Sequence, residues 1–462
     1  MEFEITAGVG GRILRLVMEV EGAQGTGTLD SGEFCSRDSN SNSKRWNHMR
    51  KILERPSPFT YHTFNPSYEY LTALQEYVRV LVVGAGGLGC ELLKNLVLLG
   101  FRNVDIIDMD TIDISNLNRQ FLFRPDDVGK SKAHCAAAFV NKRVEGANVI
   151  AHHCKIQDKD VDFYKQFHVV VCGLDSITAR KWLNSLIVTL DVSEEDEKIP
   201  FVDGGTEGFK GNVRVIRTPE TPCVECNLDL YPPQINFPMC TLASTPRLPE
   251  HCIEYVRLLL WEREKPFGET PIDGDCPQHI SWIYEKAQER AAQFRIDGIT
   301  YRLTQGVVKN IIPAVASTNA VIAAACSTEV LKLVTGCSRF MDNFMLFNDL
   351  DGIYTFTYSA ERKKNCLACD RGEARQLFFS KNVTVQEVYN YLVESKDIQM
   401  KSPGIQGYNK EGVLKNLYMK NITTEENLKK SLHVDFEIPD GGEIQVADPT
   451  FAVAVSFKIT YE

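Results

Sequence analysis

The segment Val78-Arg79-Val80-Leu81-Val82-Val83-Gly84-Ala85-Gly86-Gly87-Leu88-Gly89-Cys90-Glu91-Leu92-Leu93-Lys94-Asn95-Leu96-Val97-Leu98-Leu99-Gly100 decides the fold. Residues 78–83 form a short apolar run, interrupted only by Arg79, of the kind that fills a strand buried on both faces. A glycine-rich turn follows at 84–89, then apolar residues at helical spacing over 88–99, then a second strand at 104–107. Strand, turn, helix and strand within about thirty residues make a βαβ unit. Such crossovers are right-handed and join parallel strands, so the spacing predicts a parallel sheet.

Outward from this unit, further strands are expected at 148–152, 168–172 and 199–203, and an alternating run at 211–216 is expected to form a hairpin with its neighbours. From about residue 221 the texture changes. Pro, Cys and loop residues run to Pro249, and helical patterns occupy 250–262 and 278–294, which predicts an inserted, mostly helical lobe. Residues 311–334 and 344–357 return to sheet-domain character. Residues 374–462 form a separate unit, with strands at 376–380, 412–419, 443–446 and 453–461 and an amphipathic helix at 385–394, a pattern that suits a small α+β module. Residues 1–44 are rich in Gly, Ser and Asn without sustained periodicity and are expected to be a disordered tail, although residues 13–20 could pair. No internal repeat is visible.

Composition narrows the class. Lys and Arg number 51 against 61 Asp and Glu, a formal charge of −10, which disfavours nucleic-acid binding because phosphate repels the chain. Glu2, Glu4, Arg12, Arg15 and Glu19 interrupt any apolar leader, so a cytoplasmic and/or nuclear protein is expected. The most lipid-like stretch, 311–334, holds Pro313, Ser317, Thr318, Asn319, Glu329 and Lys332 and reads as a buried or half-buried helix rather than a membrane span. Without a secretory signal, the 14 cysteines are expected to be free, metal-bound or catalytic thiols.

The chemistry concentrates at a few places. Gly84, Gly86, Gly87 and Gly89 spell G-x-G-x-x-G between a strand and a helix, so a phosphate can approach the amides at the helix start. A plain tight turn uses the same residues. Asp108 and Asp110 follow the second strand, where an acidic group meets a ribose hydroxyl. A dinucleotide dehydrogenase opens in the same way. Past that point, however, Asn116, Arg119 and Lys132 supply amide and cationic groups suited to a triphosphate. Asp175, at the end of the strand 168–172, can hold Mg²⁺ against those phosphates. Taken one at a time, each of these is also an ordinary surface polar residue. Cys223-Val224-Glu225-Cys226 and Cys366-Leu367-Ala368-Cys369 form a C-x-x-C pair of pairs that matches tetrahedral Zn²⁺; a redox pair or unrelated thiols are the alternatives. Cys240 sits in Phe237-Pro238-Met239-Cys240-Thr241 ahead of a helical segment. It is either buried filler or an exposed, reactive thiol.

Together these motifs, with Gly205-Thr206-Glu207-Gly208-Phe209-Lys210-Gly211, resemble the catalytic subunits of Nedd/Rub-type activating enzymes in the ubiquitin-activating enzyme family, over about nine-tenths of the chain. The resemblance implies an α/β fold: a Rossmann-like, ThiF-type adenylation domain with an inserted catalytic-cysteine domain and a C-terminal ubiquitin-like (β-grasp) domain. The implied boundaries are 45–220, 221–310, 311–373 and 374–462, with 45–66 as a docking arm for the conjugating enzyme. It further implies that the nucleotide residues above bind ATP with Asp175 on Mg²⁺, that the four C-x-x-C cysteines hold structural Zn²⁺, and that Cys240 is the thioester nucleophile. Arg214 matches the family position that repels an arginine in the ubiquitin tail, unless it is a solvated strand charge. The implied partners are a Nedd/Rub-type modifier, a subunit with an inactive adenylation fold, and a conjugating enzyme bound by 374–462. A Sumo-type subunit, a catalytically dead scaffold and a Rossmann dehydrogenase are the competing readings.

Overall fold

Two short helices, α1 (Asn47–Leu53) and α2 (Glu69–Glu76), lead into β1 (Arg79–Val83). The computed structural model describes residues 44–61, 64–190, 199–230, 242, 244–274, 276–308, 314–370, 374–395, 397–420 and 422–462. The expected tail at 1–44 and Cys240 therefore lie outside the described residues, apart from Lys44. The chain divides into two compact units, Met1–Leu228 with Ala314–Glu462, and Asp229–Pro313.

In the first unit the apolar runs become strands buried on both sides. β1 is followed by α3 (Gly87–Leu99), β2 (Asn103–Ile107), α4 (Lys132–Arg143), β3 (Asn148–His152), α5 (Val161–Lys165), β4 (Val169–Cys172), α6 (Ile177–Leu190), β5 (Phe201–Glu207) and β6 (Lys210–Ile216). α3 stops at Gly100, whose φ of +111° favours glycine. β1 pairs in parallel with both β2 and β4, and β2 with β3 and β4 with β5 likewise. β5 and β6 form the expected hairpin.

The second unit is helical, as expected: α7 (Pro249–Tyr255), a π-helical turn over Val256–Leu260, α8 (Trp261–Glu264), α9 (Pro277–Phe294) and α10 (Tyr301–Val308). Cys252, Ile253, Val256, Ile283 and Ala287 fill its centre. It begins after Leu228 rather than at 221, because Val224 N donates to Asn184 Oδ1 of α6 at 3.0 Å and ties the first cysteine hairpin to the sheet domain.

Returning to the first unit, α11 (Ala316–Thr335) is the lipid-like stretch. It is buried against protein: Ile322, Ala323, Cys326 and Val330 lie in the same core as β1 and α3. Among the described residues no helix is long and apolar enough to cross a membrane. β7 (Phe344–Asn348) and β8 (Tyr354–Tyr358) complete a sheet of order β3-β2-β1-β4-β5-β6-β7-β8.

The C-terminal module is a five-stranded sheet, order β11-β10-β12-β13-β9, with one helix. Its elements are β9 (Arg375–Phe379), α12 (Val385–Glu394), β10 (Gly404–Tyr408), β11 (Leu414–Tyr418), β12 (Glu443–Ala447) and β13 (Val455–Tyr461). A reciprocal cap starts α12: Thr384 N donates to Glu387 Oε2 at 2.8 Å, and Glu387 N to Thr384 Oγ1 at 3.3 Å. β10 was not expected from the sequence. A Cβ on Gly407 would stand 2.9 Å from Ile438 Cδ1, so glycine there lets the chain pass close to its neighbour.

Candidate active site

The strand order reverses at β1, which has β2 on one side and β4 on the other. In an open α/β sheet such a reversal leaves a crevice at the carboxyl ends of the strands, where ligands bind. Both flanking loops reach it. Gly84, at φ +99°, turns the chain out of β1, and a Cβ there would stand 3.0 Å from Gly173 O of the loop after β4. A Cβ on Gly89 would fall 1.9 Å from Gly84 O, so the first turn of α3 closes on the strand end only with glycine. α3 starts at this strand end, and the first amides of a helix have no partner within it, which makes such a start attractive to anions.

Asp108, past β2, holds the other wall. Its Oδ2 accepts from Ala85 N at 2.6 Å and its Oδ1 from Asp110 N at 2.7 Å. Burial raises its carboxyl above the usual range, against the opposing pull of those two amides and of Lys132. Lys132, the first residue of α4, is buried and reaches Asp110 Oδ2 at 2.9 Å. Asn116 is buried in a short 3-10 turn and accepts from Asp113 N at 3.0 Å. Arg119 Nη1 donates to Ser115 O and Asn118 Oδ1, both at 3.0 Å. A cation pair and two carboxylates therefore line one rim.

Asp175 is exposed on the loop after β4. Just behind it, Arg180 of α6 forks onto the buried Asp203 of β5, with Nη1 at 2.5 Å and 2.6 Å from its two oxygens. Arg180 Nη2 also donates to Gly204 O at 2.9 Å and to Leu174 O. One guanidinium so fixes the Asp175 loop to β5. The sequence reading missed Arg180, since nothing local distinguishes it from a helix-surface charge.

The four C-x-x-C sulfurs meet although 140 residues separate the two pairs in sequence. Cys223 Sγ lies 3.9 Å from Cys226 Sγ and 3.6 Å from Cys366 Sγ, and Cys226 Sγ lies 3.5 Å from Cys369 Sγ. Tetrahedral zinc with Zn–S of about 2.3 Å spaces its sulfurs about 3.8 Å apart, so this buried set is compatible with Zn²⁺. Burial, and after it the three neighbouring sulfurs, raises the Cys223 thiol, and a bound cation is what would keep such sulfurs as thiolates. Lys181 of α6 pairs with Glu225 inside the first hairpin at 3.2 Å. The same lysine lies 5.0 Å from the Phe451 ring of the C-terminal module, and Ala452 N donates to Ser185 Oγ at 2.7 Å. α6 therefore runs from the nucleotide crevice to the cysteine cluster and the C-terminal module.

Residues 67–368 match the model of the ThiF family, and residues 378–461 match that of the E2 binding domain. The NEDD8-activating enzyme E1 catalytic subunit of Drosophila melanogaster is 54% identical over 91% of this chain and 96% of its own length. The chain belongs to the ThiF family, among the NEDD8-activating enzyme E1 catalytic subunits. The counterpart in Dictyostelium discoideum is 48% identical over 90% of this chain and 97% of its own length. SUMO-activating enzyme subunit 2 of Dictyostelium discoideum is also 48% identical, but over only 42% of this chain and 28% of its own.

Within this ThiF-family chain, Gly84, Gly86, Gly87, Gly89, Asp108, Asp110, Asn116, Arg119, Lys132 and Asp175 lie on the loops and helix starts around the crevice, and the four cysteines gather elsewhere in the same unit. Arg214 of β6 is 2% exposed and lies 4.8 Å from the Phe344 ring, so it is no solvated strand charge. It stands opposite Asp203 in the β5–β6 register. The sequence reading also missed Thr206 and Asn319, which touch each other beside the glycine loop; Asn319 had counted only as a polar interruption of an apolar stretch.

Proposed function

We propose that this chain adenylates the C-terminal glycine of a NEDD8-type modifier, carries it as a thioester on Cys240, and passes it to a conjugating enzyme. The observation that carries this reading is the crevice at the β1 reversal, whose rim of Asp108, Lys132, Arg119 and Asp175 suits a nucleoside triphosphate. The family membership adds the modifier. A carboxylate is a poor acyl donor because its leaving group is oxide. The carboxylate oxygen therefore attacks the α-phosphorus of ATP, pyrophosphate departs, and an acyl-adenylate results. Arg119, Lys132 and the amides at the start of α3 offset charge on the phosphates during that step. Asp175 would hold Mg²⁺, which supplies further charge neutralisation on the phosphates.

The thiolate of Cys240 then attacks the acyl carbon, forming the thioester and releasing AMP. The conjugating enzyme's own thiol next displaces Cys240. The E2 binding domain match supports residues 374–462 as its docking module, with the 45–66 arm as a second contact. Asp108 would accept from a ribose hydroxyl, its position fixed by the Ala85 and Asp110 amides. Zn²⁺ on Cys223, Cys226, Cys366 and Cys369 would be structural, since four protein sulfurs leave no open position. The chain works as one half of a heterodimer whose other subunit carries the inactive adenylation fold. Cysteines that serve as zinc ligands and as a nucleophile suit a reducing compartment, cytoplasmic and/or nuclear.

The test pairs modifier-dependent ATP–pyrophosphate exchange with detection of a non-reduced adduct, using the chain with its partner subunit. Wild type gives both. Cys240→Ala keeps exchange and loses the adduct. A folded Cys240→Ala protein without exchange, or a wild type that gives neither signal, overturns the reading.

A further inference from the structure

The β5–β6 hairpin and the glycine loop belong to different halves of the chemistry proposed above. The loop faces the phosphates, and the hairpin carries Arg214, which the resemblance sets against the modifier tail. The two must be held in register for a carboxylate to meet a phosphorus. α11 lies against both. Thr206 Oγ1, near the end of β5, donates to Asn319 Oδ1 at 2.7 Å. The other end of the same amide fills the space beside the loop: a Cβ on Gly87 would stand 2.6 Å from Asn319 Nδ2. Gly87 is the first residue of α3, so this nitrogen sits where the helix presents its amides to the crevice. Asn319 itself is buried.

A second contact, one residue earlier on α11, serves the same hairpin. Thr318 Oγ1 donates to Gly208 O at 2.8 Å, and Gly208 makes a parallel bridge with Ala314. Gly208 is the turn between β5 and β6, at φ +56°. The first turn of α11 therefore grips the hairpin at its end and, through Asn319, the nucleotide loop. An amide suits this bridge, because one end accepts from a hydroxyl while the other presents N–H toward a site that attracts anions.

We propose that Asn319, oriented by Thr206, is a positioning residue that fixes the glycine loop relative to the strand bordering the modifier tail, and so sets the rate of adenylate formation rather than nucleotide affinity. The proposal rests on the adenylation reading above. Misplacing a reacting group by about 1 Å costs on the order of 100-fold in rate, while the phosphate contacts of the loop survive such a shift.

The experiment uses the chain with its partner subunit, a NEDD8-type modifier and ATP. It compares wild type with Thr206→Val, Thr206→Ser and Asn319→Ala. Pyrophosphate exchange gives kcat and KM for each, a non-hydrolysable ATP analogue gives the nucleotide Kd by calorimetry, and thermal melting reports folding. Thr206→Val and Asn319→Ala are expected to lower kcat of exchange by roughly 10- to 100-fold with Kd changed less than about threefold. Thr206→Ser, which keeps the hydroxyl, is expected to retain more than half the rate. Should Asn319→Ala fail to fold, Thr206→Val decides, since it removes one hydroxyl at nearly constant volume. A Thr206→Val rate within about twofold of wild type overturns the bridge, as does a loss carried wholly by Kd, or an equal loss in Thr206→Ser. Those outcomes require an active wild type. A wild type without modifier-dependent exchange instead overturns the adenylation reading, and this role with it.

Discussion

Lys181 and Glu225 form an ion pair 3.2 Å long whose side chains are only 4% and 3% exposed, and it fastens α6 to the first cysteine hairpin. Burial raises the Glu225 carboxyl above its ordinary range, and Lys181 opposes that shift. Removing the lysine leaves a buried carboxylate without its cation. Lys181→Met is expected to destabilise the first unit by about 3–5 kcal/mol, whereas Lys181→Met with Glu225→Leu should recover most of the loss. Urea denaturation of the three proteins checks this; a single variant as stable as the parent rules the pair out as a structural tie.

The cysteine cluster gives a metal prediction. Purified, untagged protein should carry one zinc per chain, and Cys366→Ser should lower both the zinc content and the melting temperature, because metal binding to such a site is coupled to folding. Elemental analysis reads the first quantity and calorimetry the second. Metal-free wild type with an unchanged melting temperature would remove zinc from the account.

Asp175 is exposed, so replacing it should leave folding intact while weakening the proposed hold on Mg²⁺. Asp175→Ala is expected to slow pyrophosphate exchange by on the order of 100-fold, and excess Mg²⁺ should restore part of the rate. Equal rates for wild type and variant at limiting Mg²⁺ would contradict the assignment.

Arg214 is proposed to select the modifier by repelling an arginine in the ubiquitin tail. Since its side chain is buried against Phe344, truncation to alanine would open a cavity, and glutamine is the better probe. Arg214→Gln should raise ubiquitin thioester formation relative to the NEDD8-type modifier. Like-charge contact at an interface costs several kcal/mol, so the ratio should move by at least tenfold. Paired thioester assays decide; a ratio unchanged within error removes Arg214 as the selector.

Much of this architecture is legible in the chain itself. The strands β1 to β4 and the helix α12 announce themselves through apolar runs and helical spacing, signals that depend on near neighbours only. The C-x-x-C pairs are equally plain, because metal geometry dictates ligand type and spacing. What escaped reading depends on contacts distant in sequence. Arg180 gains its role from Asp203, and Asn319 from Thr206 and Gly87, none of which is adjacent to its partner. β10 escaped because its glycines signal a turn locally, and only the packing of Ile438 explains them. The start of the helical unit was misplaced because the hairpin of Cys223 and Cys226 is held by α6 and by the second cysteine pair.

The place of α11 late in the sequence has a consequence for biogenesis. Gly87 emerges from the ribosome about 230 residues before Asn319, an interval of roughly ten to fifty seconds at ordinary synthesis rates. During that time β1 to β6 can pair, yet the helix that abuts the glycine loop and the β5–β6 hairpin has not been made. Leu88, Gly204 and Gly211, which in the finished molecule meet Ile322 and Cys326 or one another, then line an open apolar face on the nascent chain. The nucleotide crevice is among the last features to be completed, so premature termination between α3 and α11 yields a product that has the phosphate-loop motif but lacks the wall that holds it in place.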